Sequence, residues 1–478
     1  MTFTHDLIVI GAGPAGLAAA ATGADLGLRT LLLDEQPRAG GQIYRNVTVA
    51  TRRLHGLLGA DYSRGGSLAE SVVVTGAEVR HDTLVWDVSP DLVVTGSRGG
   101  QSFQVRAPQL VVATGAMERA SPLPGWTLPG VLNAGAAQIA LKSGGLVPEG
   151  RVVVTGAGPL LLLVACQLLE AGVELAGLVE TAPAANRRTA LRHLPAALHA
   201  PSYFAKGLRM IVRLRRAGVP WYTGATELEV TGTDRATGLA FDVGGRRLHL
   251  AANTVLLHHG VIPNTQLSRL LRVDHRWSNS QLAWHVVADE FGQTSLSGLR
   301  VAGDGVAIAG ARAAEAGGAL AALGAAHSIG RLSPTERDRL AAPHQKVLRG
   351  ECAVRPFLDA LYRPPPYILA PADETIVCRC EEVSAGRIRE MARLGCQGPN
   401  QTKFFSRCGM GPCQGRVCGN IVTQLLAAEL AKPPHAVGAY RIRAPIKPIP
   451  VGSLANLQEM ADSVVAKPHE STMAKSSE

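Results

Sequence analysis

The sequence predicts an α/β fold with two domains of parallel strands and crossover helices, followed by a small domain that contains closely spaced cysteines. Two glycine-rich turns, which begin at Gly11 and Gly156, each follow a buried strand and open an Ala- or Leu-rich helix. A chain of 478 residues is too long for one hydrophobic core. Near the C-terminus, four cysteines stand in two close pairs, which predicts a third and separate domain.

The protein is basic, with 48 Lys and Arg against 38 Asp and Glu and a net charge of +10. Much of the excess lies between residues 181 and 226, a stretch that contains eight basic residues and no Asp or Glu. We expect a solvated helical insertion there, and a docking face for a partner subunit is the alternative. No nucleic-acid recognition motif accompanies the charge, so nucleic acid is not expected as a partner.

Neither a signal peptide nor a transmembrane helix is predicted. The segment 1–6 lacks a basic start and a cleavage site, and the apolar run at 159–169 is too short to cross a bilayer. These features predict a cytoplasmic protein, with peripheral association with the inner membrane as an open alternative. In a reducing compartment, cysteines more often bind metal or do chemistry than form disulfides.

The first glycine turn has the pattern G-x-G-x-x-G at Gly11, Gly13 and Gly16. The first glycine permits the tight turn, the second lets a pyrophosphate approach the backbone, and the third allows the helix to pack closely on the strand. The helix N-terminus offers free N–H groups to the phosphates. Asp34 ends the next strand and Glu35 follows it, where a carboxylate can accept hydrogen bonds from ribose hydroxyls. The sequence therefore predicts a dinucleotide site.

Further motifs accompany this turn at the ends of other predicted strands: Gly40, Gly41 and Gln42; Ala113, Thr114 and Gly115; Gly303 and Asp304. Together with the glycine turn, they resemble the signatures of the two-dinucleotide-binding-domain flavoproteins, which include glutathione and thioredoxin reductases. The resemblance covers residues 1–330 and implies two Rossmann-like domains, with FAD in the first. It also implies that Asp304 hydrogen-bonds the ribityl chain or the pyrophosphate of FAD, and plain helix capping is the alternative.

The second glycine turn departs from the pattern. Leu161 stands where the third glycine or an alanine belongs, and leucine there would push the helix from the strand or crowd the pyrophosphate. Glu180 could still hold a ribose, so an intact NAD site stays an alternative to a degenerate domain or one that holds another nucleotide. Disulfide-reductase chemistry is not expected, because the first cysteine, Cys166, lies alone on an apolar helix face and is interpreted as a core thiol.

The third domain contains two cysteine pairs. Cys378 and Cys380 form C-x-C, and Cys408 and Cys413 form C-x4-C. Four thiolates in two close pairs suit zinc or a [2Fe–2S] cluster, and C-x-C is uncommon for zinc. The module resembles the [2Fe–2S] domain of the bacterioferritin-associated-ferredoxin (BFD) type over residues 375–431, which implies that these four cysteines bind the cluster. The remaining cysteines of the C-terminal region are interpreted as structural or incidental thiols: Cys352, Cys396 and Cys418.

A flavin domain followed by such a cluster domain resembles the α subunits of heteromeric, dye-linked amine and amino-acid dehydrogenases, the group of opine oxidases, D-hydroxyproline dehydrogenases and hydrogen cyanide synthases. The stretches 124–126, 129–131, 258–265 and 275–277 look like that group as well. The resemblance implies that a partner β subunit, which is a D-amino-acid-oxidase-like flavoprotein, oxidises the substrate while this chain relays electrons. It further implies a small third subunit, a quinone or respiratory carrier as terminal acceptor, and a second nucleotide or flavin at the middle domain or the subunit interface.

The sequence shows no evident group of acid–base residues, which fits a role in electron relay. No His/Asp, Ser/His or paired-carboxylate arrangement is evident, and His258, His259 and His275 are interpreted as structural. Two other classes remain open. A self-sufficient NAD(P)H-dependent reductase that passes electrons to a carrier protein would need a working second nucleotide site, which Leu161 argues against. The complete FAD signature argues against the second class, a non-enzymatic iron–sulfur module.

The expected domain bounds follow from these motifs. In chain order they are an FAD-binding domain at 1–120 and 288–330, an enclosed NAD-binding-like domain at 121–287, a linker at 331–374, the BFD-like [2Fe–2S] domain at 375–432, and an extended tail at 433–478 whose last dozen residues are disordered.

Overall fold

The computed structural model describes residues 4–457 of the 478-residue chain. The expectation of a disordered terminus, and the part of the predicted tail beyond residue 457, lie outside the described residues. Within the described range the fold is α/β, with two parallel sheets and a small C-terminal cysteine domain, as the sequence predicts. Among these residues, no helix combines the length and the apolar character needed to span a membrane.

The N-terminal part contains one run of parallel strands and an inserted antiparallel sheet. Its elements are β1 (Leu7–Ile10), α1 (Pro14–Asp25), β2 (Thr30–Leu33), α2 (Arg52–Leu58), α3 (Ala60–Ser63), α4 (Gly65–Val74), β3 (Glu78–Arg80), β4 (Thr83–Val88), β5 (Val93–Arg98), β6 (Gln101–Arg106), β7 (Gln109–Val112) and β8 (Ala116–Glu118).

The middle part repeats this plan and carries the basic insertion. Its elements are β9 (Val131–Asn133), α5 (Ala134–Gly144), β10 (Val152–Gly156), α6 (Pro159–Glu170), β11 (Leu175–Glu180), α7 (Ala184–Leu191), α8 (Leu194–Ala197), α9 (Pro201–Arg216), β12 (Trp221–Thr223), β13 (Thr226–Thr231), β14 (Gly238–Val243), β15 (Arg246–Ala251), β16 (Thr254–His258), β17 (Val261–Pro263), α10 (Gln266–Leu270), β18 (His275–Ser278) and β19 (Ala283–Val286).

The C-terminal part first completes the N-terminal sheet and then forms the cysteine domain. Its elements are β20 (Leu299–Val301), α11 (Ala311–Ser328), α12 (Pro334–Ala353), α13 (Arg355–Leu361), α14 (Pro366–Leu369), β21 (Ile376–Cys378), β22 (Val383–Ser384), α15 (Ala385–Arg393), α16 (Pro399–Ser406), α17 (Gly419–Glu429) and α18 (Pro434–Val437).

The first sheet has the strand order β20-β7-β1-β2-β3, with all strands parallel. β1, β2 and β7 are buried along their whole length because helices and the neighbouring antiparallel sheet cover them. On one face α1 packs against α11 at very short range: a Cβ on Gly318 would lie 2.0 Å from the carbonyl oxygen of Ala15. Since the strands are parallel, their carboxyl ends meet at one edge, where ligands bind in such sheets.

The second sheet has the order β12-β11-β10-β16-β9, again parallel, and α6 covers one face. The basic insertion folds mainly into α7, α8 and α9. Two of its cations form ion pairs with neighbouring elements, Lys206 with Asp61 and Arg213 with Glu170. The insertion is therefore helical and exposed, and part of its charge is compensated.

The segment expected as a linker, 331–374, is mostly helical. α12 begins where the side chain of Ser333 accepts the N–H of Glu336, with Pro334 in the first helical position. α12 then packs along α11 through residues that include the fully buried Ala341. The segment therefore extends the first domain instead of merely connecting domains.

The stretch after residue 433 is not a free tail over its described length. The ring of Tyr440 lies buried in the cysteine domain, and its hydroxyl donates to the carbonyl oxygen of Cys408 at 2.8 Å. Farther along, the N–H of Ile446 donates to the carbonyl oxygen of Trp86 at 2.8 Å. This segment therefore belongs to the packing of the cysteine domain and also contacts the first domain.

Removal of this segment is expected to destabilise the cysteine domain. A chain that ends at Val437 lacks the buried side chains of Tyr440, Ile442 and Ile446, and full burial of one large apolar side chain contributes ~1.5–3 kcal/mol. We expect a lower Tm for this domain and faster limited proteolysis between residues 396 and 418. The matched control ends at residue 457 and keeps every described contact, so equal cleavage of the two truncated chains would contradict the prediction.

Candidate functional site

The first glycine turn, between β1 and α1, brings backbone segments into close contact. A Cβ on Gly11 would lie 2.6 Å from the carbonyl oxygen of Ala113, and one on Gly16 would lie 1.7 Å from that of Gly11. Gly11 also has a φ of +104°, a region that other residues rarely adopt. The start of α1 has no side-chain cap in the described part of the chain, so its first N–H groups remain available to phosphate oxygens.

Asp34 follows β2 at the same edge of the sheet. One carboxylate oxygen accepts the N–H of Ala12 at 2.5 Å, and the other accepts that of Gln36 at 2.7 Å. The side chain is 8% exposed, and burial raises the pKa of Asp34. The carboxylate therefore stabilises the glycine turn by hydrogen bonding. A contact between Asp34 and a ribose remains a prediction.

Other residues of the predicted FAD site converge on this edge. Gly41 packs on the turn, since a Cβ there would lie 2.7 Å from the Cα of Gly13. Gly115 has a φ of +65°, and the hydroxyl of the preceding Thr114 donates to the carbonyl oxygen of Asn264 at 3.3 Å. These contacts leave a cradle of backbone and small residues, which fits the pyrophosphate of FAD.

Two predicted residues make contacts that the sequence does not reveal. Glu35 forms an ion pair with Lys447 from the C-terminal segment. The carbonyl oxygen of Gln42 accepts a hydrogen bond from the ammonium of Lys142 at 3.1 Å, and Gln138 accepts another at 2.9 Å. Burial lowers the pKa of Lys142 to about 7. The predicted flavin motif therefore has a buried lysine behind it, on a helix of the middle domain.

Asp304 follows β20 at the same sheet edge. Its Oδ1 accepts the N–H groups of Ala309 and Gly310 at 2.8 and 3.0 Å, immediately before α11. The carboxylate therefore caps the backbone N–H groups that immediately precede α11. A contact between Asp304 and FAD remains a prediction. Gly303 lies against α1, because a Cβ there would be 2.7 Å from the Cβ of Ala15.

The second glycine turn, between β10 and α6, has much less room. A Cβ on Gly158 would lie 2.9 Å from Nε2 of His258, so the imidazole faces the turn where a pyrophosphate would have to lie. Nδ1 of His258 lies 2.7 Å from the carboxylate of Glu118, and the contact is largely shielded from solvent. Leu161 is 2% exposed and packs into the core under α6. The position of His258 opposes a dinucleotide at this turn.

His259 and His275 are satisfied by neighbouring polar groups. The two ring nitrogens of His259 lie 2.8 and 3.1 Å from the hydroxyls of Ser121 and Thr181. His275 lies 2.9 Å from the hydroxyl of Ser268. Burial lowers the pKa of His259 to about 3 and that of His275 to about 4. Both rings are neutral at physiological pH, which agrees with their interpretation as structural residues.

Five cysteines of the third domain lie together. The sulfurs of Cys378, Cys408 and Cys418 are buried and within 4.8 Å of one another. Hydrogen bonds from Cys408 and Cys418 lower the pKa of Cys378 to about 2. Cys380 and Cys413 form a second hydrogen-bonded pair. The sequence analysis interprets Cys418 as a structural thiol, whereas the structure places its sulfur beside those of Cys378 and Cys408. The repeated C-x4-C spacing at 408, 413 and 418 is the signal that could have revealed this.

Glycines allow the two cysteine segments to meet. The hairpin of β21 and β22 carries Cys380, and a Cβ on Gly411 would lie 2.2 Å from the Cβ of Cys380. Gly409 has a φ of +89° and lies against the ring of Tyr440. The loop before α17 can therefore approach the hairpin closely because it lacks side chains at these points.

Two side chains from the dinucleotide-binding part hold the cysteine domain. The indole N–H of Trp126 donates to the carbonyl oxygen of Ile376 at 2.6 Å, and the guanidinium of Arg379 lies 5.2 Å from the centre of the Trp126 ring. Arg119 is buried and donates to the side-chain oxygen of Asn420 in α17 at 3.1 Å. The cysteine group is thus fixed relative to the predicted FAD site.

Two family models match the chain. The pyridine nucleotide-disulphide oxidoreductase model covers residues 5–321, and the sarcosine oxidase A3 domain model covers residues 372–457. The first match covers more than half of the chain and implies FAD, in agreement with the cradle at the first glycine turn. The class defined by fold and site is therefore an FAD-dependent oxidoreductase. The second match joins the stretch after residue 433 to the cysteine domain.

Relatives of similar length show to which family of oxidoreductases the chain belongs. The chain is 43% identical to the A subunit of opine oxidase from Agrobacterium tumefaciens (strain Ach5) over 97% of this chain and 93% of that protein. It is 34% identical to the hydrogen cyanide synthase subunit HcnB of Pseudomonas aeruginosa over 94% of this chain and 98% of that one. The chain belongs to the family of α subunits of heteromeric amine and amino-acid dehydrogenases, which includes the A subunits of opine oxidases.

Solved structures support the fold. L-Proline dehydrogenase from P. horikoshii is similar with a TM-score of 0.67 and 19% identity, over 94% of this chain and 79% of that chain. Thioredoxin reductase from T. acidophilum gives a TM-score of 0.50 and 19% identity, over 68% of this chain and 99% of that chain. The expected glutathione- and thioredoxin-reductase-like architecture is therefore confirmed for the dinucleotide-binding part.

We expect that NADH and NADPH reduce the bound flavin slowly or not at all, because the imidazole of His258 faces the second glycine turn where a pyrophosphate would have to lie. Anaerobic mixing with stoichiometric nucleotide, followed by visible absorbance, measures the rate, and dithionite provides the fully reduced reference. The variant His258→Ala enlarges the site and is the matched comparison. Rapid bleaching of the unaltered protein by NADH would show that the second site works.

Proposed function

We propose that this chain is the electron-transfer subunit of a heteromeric dehydrogenase that oxidises an opine, such as octopine or nopaline, on a partner β subunit. The observation that carries the proposal is the 43% identity to the A subunit of opine oxidase, which extends through both the dinucleotide-binding part and the cysteine domain. The names of the relatives describe subunits, among them the α subunit of sarcosine oxidase. D-Hydroxyproline is the alternative substrate of the partner.

The side chains of this chain support a relay rather than a substrate dehydrogenase. His258 is engaged with Glu118, and His259 and His275 are buried and neutral. None of these groups offers an open acid–base position to a substrate. Substrate oxidation is therefore assigned to the β subunit, which is a D-amino-acid-oxidase-like flavoprotein. A small third subunit completes the complex, which works in the cytoplasm and delivers electrons to a quinone or respiratory carrier at the inner membrane.

We assign a [2Fe–2S] cluster to the cysteine group, where it would carry single electrons between the flavin and the acceptor. Each iron of such a cluster binds two thiolates. Cys380 and Cys413 supply one pair, and Cys378 with Cys408 supplies the other. Cys418 lies close enough to Cys378 to take the place of Cys408. A zinc ion held by the three buried sulfurs is the competing assignment.

The alternative of a self-sufficient NAD(P)H-dependent reductase is not favoured. Such an enzyme needs an open second nucleotide site, and the imidazole of His258, held by Glu118 and facing the second glycine turn, argues against one. The middle domain is proposed instead to hold no dinucleotide at its glycine turn. A second flavin or nucleotide would have to bind elsewhere, at the interface with a partner.

Cys413→Ser is expected to remove the cluster and leave FAD bound, because Cys413 belongs to the cysteine domain and not to the first glycine turn. The unaltered protein should contain about two irons and two sulfides per chain and give a paramagnetic signal only after reduction. Metal analysis and electron paramagnetic resonance measure both. Since ligation is coupled to folding, the variant should also be cleaved faster in the cysteine domain.

Three further variants show which cysteine is the fourth ligand of the cluster and which cysteines do not bind it. Cys352→Ser changes an exposed cysteine outside the group and should keep the full iron content. Cys408→Ser and Cys418→Ser form a matched pair, and the variant that loses iron identifies the fourth ligand. One zinc per chain, or unchanged iron in Cys413→Ser, would refute the cluster assignment.

The isolated chain is expected to bind FAD but to oxidise no opine or imino acid. Assays with octopine, nopaline, D-hydroxyproline, proline and glycine, with an artificial dye as acceptor, should show turnover only when the β subunit is present. In that complex, Cys413→Ser should slow electron delivery to the terminal acceptor more than it slows flavin reduction. Turnover by the isolated chain comparable to that of the complex would contradict the relay function.

A further inference from the structure

A cavity of about 60 Å³ lies between the dinucleotide-binding part and the cysteine domain. β17, α10 and β19 form one wall, and the start of α17 with residues 439–442 forms the other. Since about 10–15 Å³ of such space accommodates one water, the cavity has room for a group the size of a phosphate. None of the residues predicted to contact FAD lines it, and Asn264 in its wall adjoins that site through the hydroxyl of Thr114.

Three buried polar atoms on residues that line this cavity have no hydrogen-bond partner within the described range. They are Oε1 of Gln266, Nη2 of Arg269 and Nε1 of Trp284. Only nine buried side-chain atoms are unpaired in the described part of the chain, so a third of them meet here. Because an unpaired buried donor is unfavourable, a polar ligand in this cavity would be stabilised by completing these hydrogen bonds.

The charge of the cavity is positive. The guanidinium of Arg269 lies 4.9 Å from the centre of the Trp284 ring and donates through Nε to the hydroxyl of Thr265 at 3.1 Å. Burial lowers the pKa of Arg269 to about 10, so the group is charged at neutral pH. Arg416 is a second cation in the wall, and no Asp or Glu is among the described lining residues.

The opposite wall adds to this potential. Gly419 and Asn420 begin α17, an eleven-residue helix whose N-terminus carries no side-chain cap from the residues that the structure describes. Behind Asn420 stands the buried Arg119, which donates to its side-chain oxygen at 3.1 Å. The cavity is therefore surrounded by cationic groups and a helix N-terminus, and its described lining contains no carboxylate to balance them.

We propose that this cavity binds a phosphate group, either as free phosphate or as the phosphate end of a small organic ligand. A tetrahedral oxyanion can accept from the unpaired N–H groups of Arg269 and Trp284 and from Arg416 at once. A protonated phosphate oxygen can in turn donate to Gln266. The inference goes beyond the relay function, because it concerns a site that needs neither the β subunit nor an amine substrate.

Binding is measured on the purified full-length chain by isothermal titration calorimetry in a phosphate-free buffer. Inorganic phosphate, AMP and FMN are the probes, and sulfate tests the specificity for charge alone. We expect one site per chain, and Arg269→Gln should weaken binding roughly tenfold or more through loss of a charge-assisted hydrogen bond. Tighter binding of a mononucleotide than of phosphate identifies an organic ligand, and the reverse order identifies free phosphate.

Two further variants keep the test decisive. Trp284→Phe removes one N–H but keeps the ring under Arg269, so it should weaken binding several-fold without unfolding the chain. Arg276→Gln removes the same charge as Arg269→Gln from an exposed site in β18 and should bind as the unaltered protein does. The proposal is overturned when none of the probes binds, or when Arg269→Gln and Trp284→Phe bind as tightly as Arg276→Gln. Either result leaves the relay function intact.

Discussion

A buried cation, the guanidinium of Arg119, joins the cysteine domain to the dinucleotide-binding part. Arg119 is 3% exposed and forms no ion pair in the described part of the chain. Its guanidinium donates to four oxygens: the carbonyls of His259, Gln281 and Leu282 and the side chain of Asn420. Burial lowers the pKa of Arg119 only to about 10, so it stays charged. Because a buried charge without partners is very unfavourable, any shift of these segments relative to one another is opposed.

This constraint extends to the cysteines through α17. Asn420 lies in the first turn of that helix, and Cys418 is its N-cap residue. Trp126 holds the other cysteine segment, because its indole N–H donates to Ile376 at the start of β21. Both cysteine-bearing segments are therefore attached to the part of the chain that is predicted to hold FAD. The proposed relay would benefit from such attachment, since the separation between the flavin and the proposed cluster would be set by packing and not by a mobile linker.

The sequence was informative wherever neighbouring residues decide the structure. The first glycine turn could be predicted because its glycines avoid clashes within one short segment, and the α/β fold followed from the strand and helix patterns around it. The pairing of His258 with Glu118 could not be predicted, because the two residues are 140 positions apart and meet only through sheet order. Cys418 is a different case, because the repeated C-x4-C spacing at 408, 413 and 418 is a local signal of its place in the group.

The middle domain has a structural role that does not depend on nucleotide binding. Leu161 is buried in the core of the middle domain, and burial of a leucine contributes ~1.5–3 kcal/mol that a glycine at this position would not supply. The domain also packs on the residues that support the cysteine domain: a Cβ on Gly125, next to Trp126, would lie 2.2 Å from the carbonyl oxygen of Val230 in β13. This contact with β13 therefore helps to set the position of Trp126. The buried Leu161 thus contributes to the core of the middle domain, and this domain helps to hold the cysteine group beside the flavin domain.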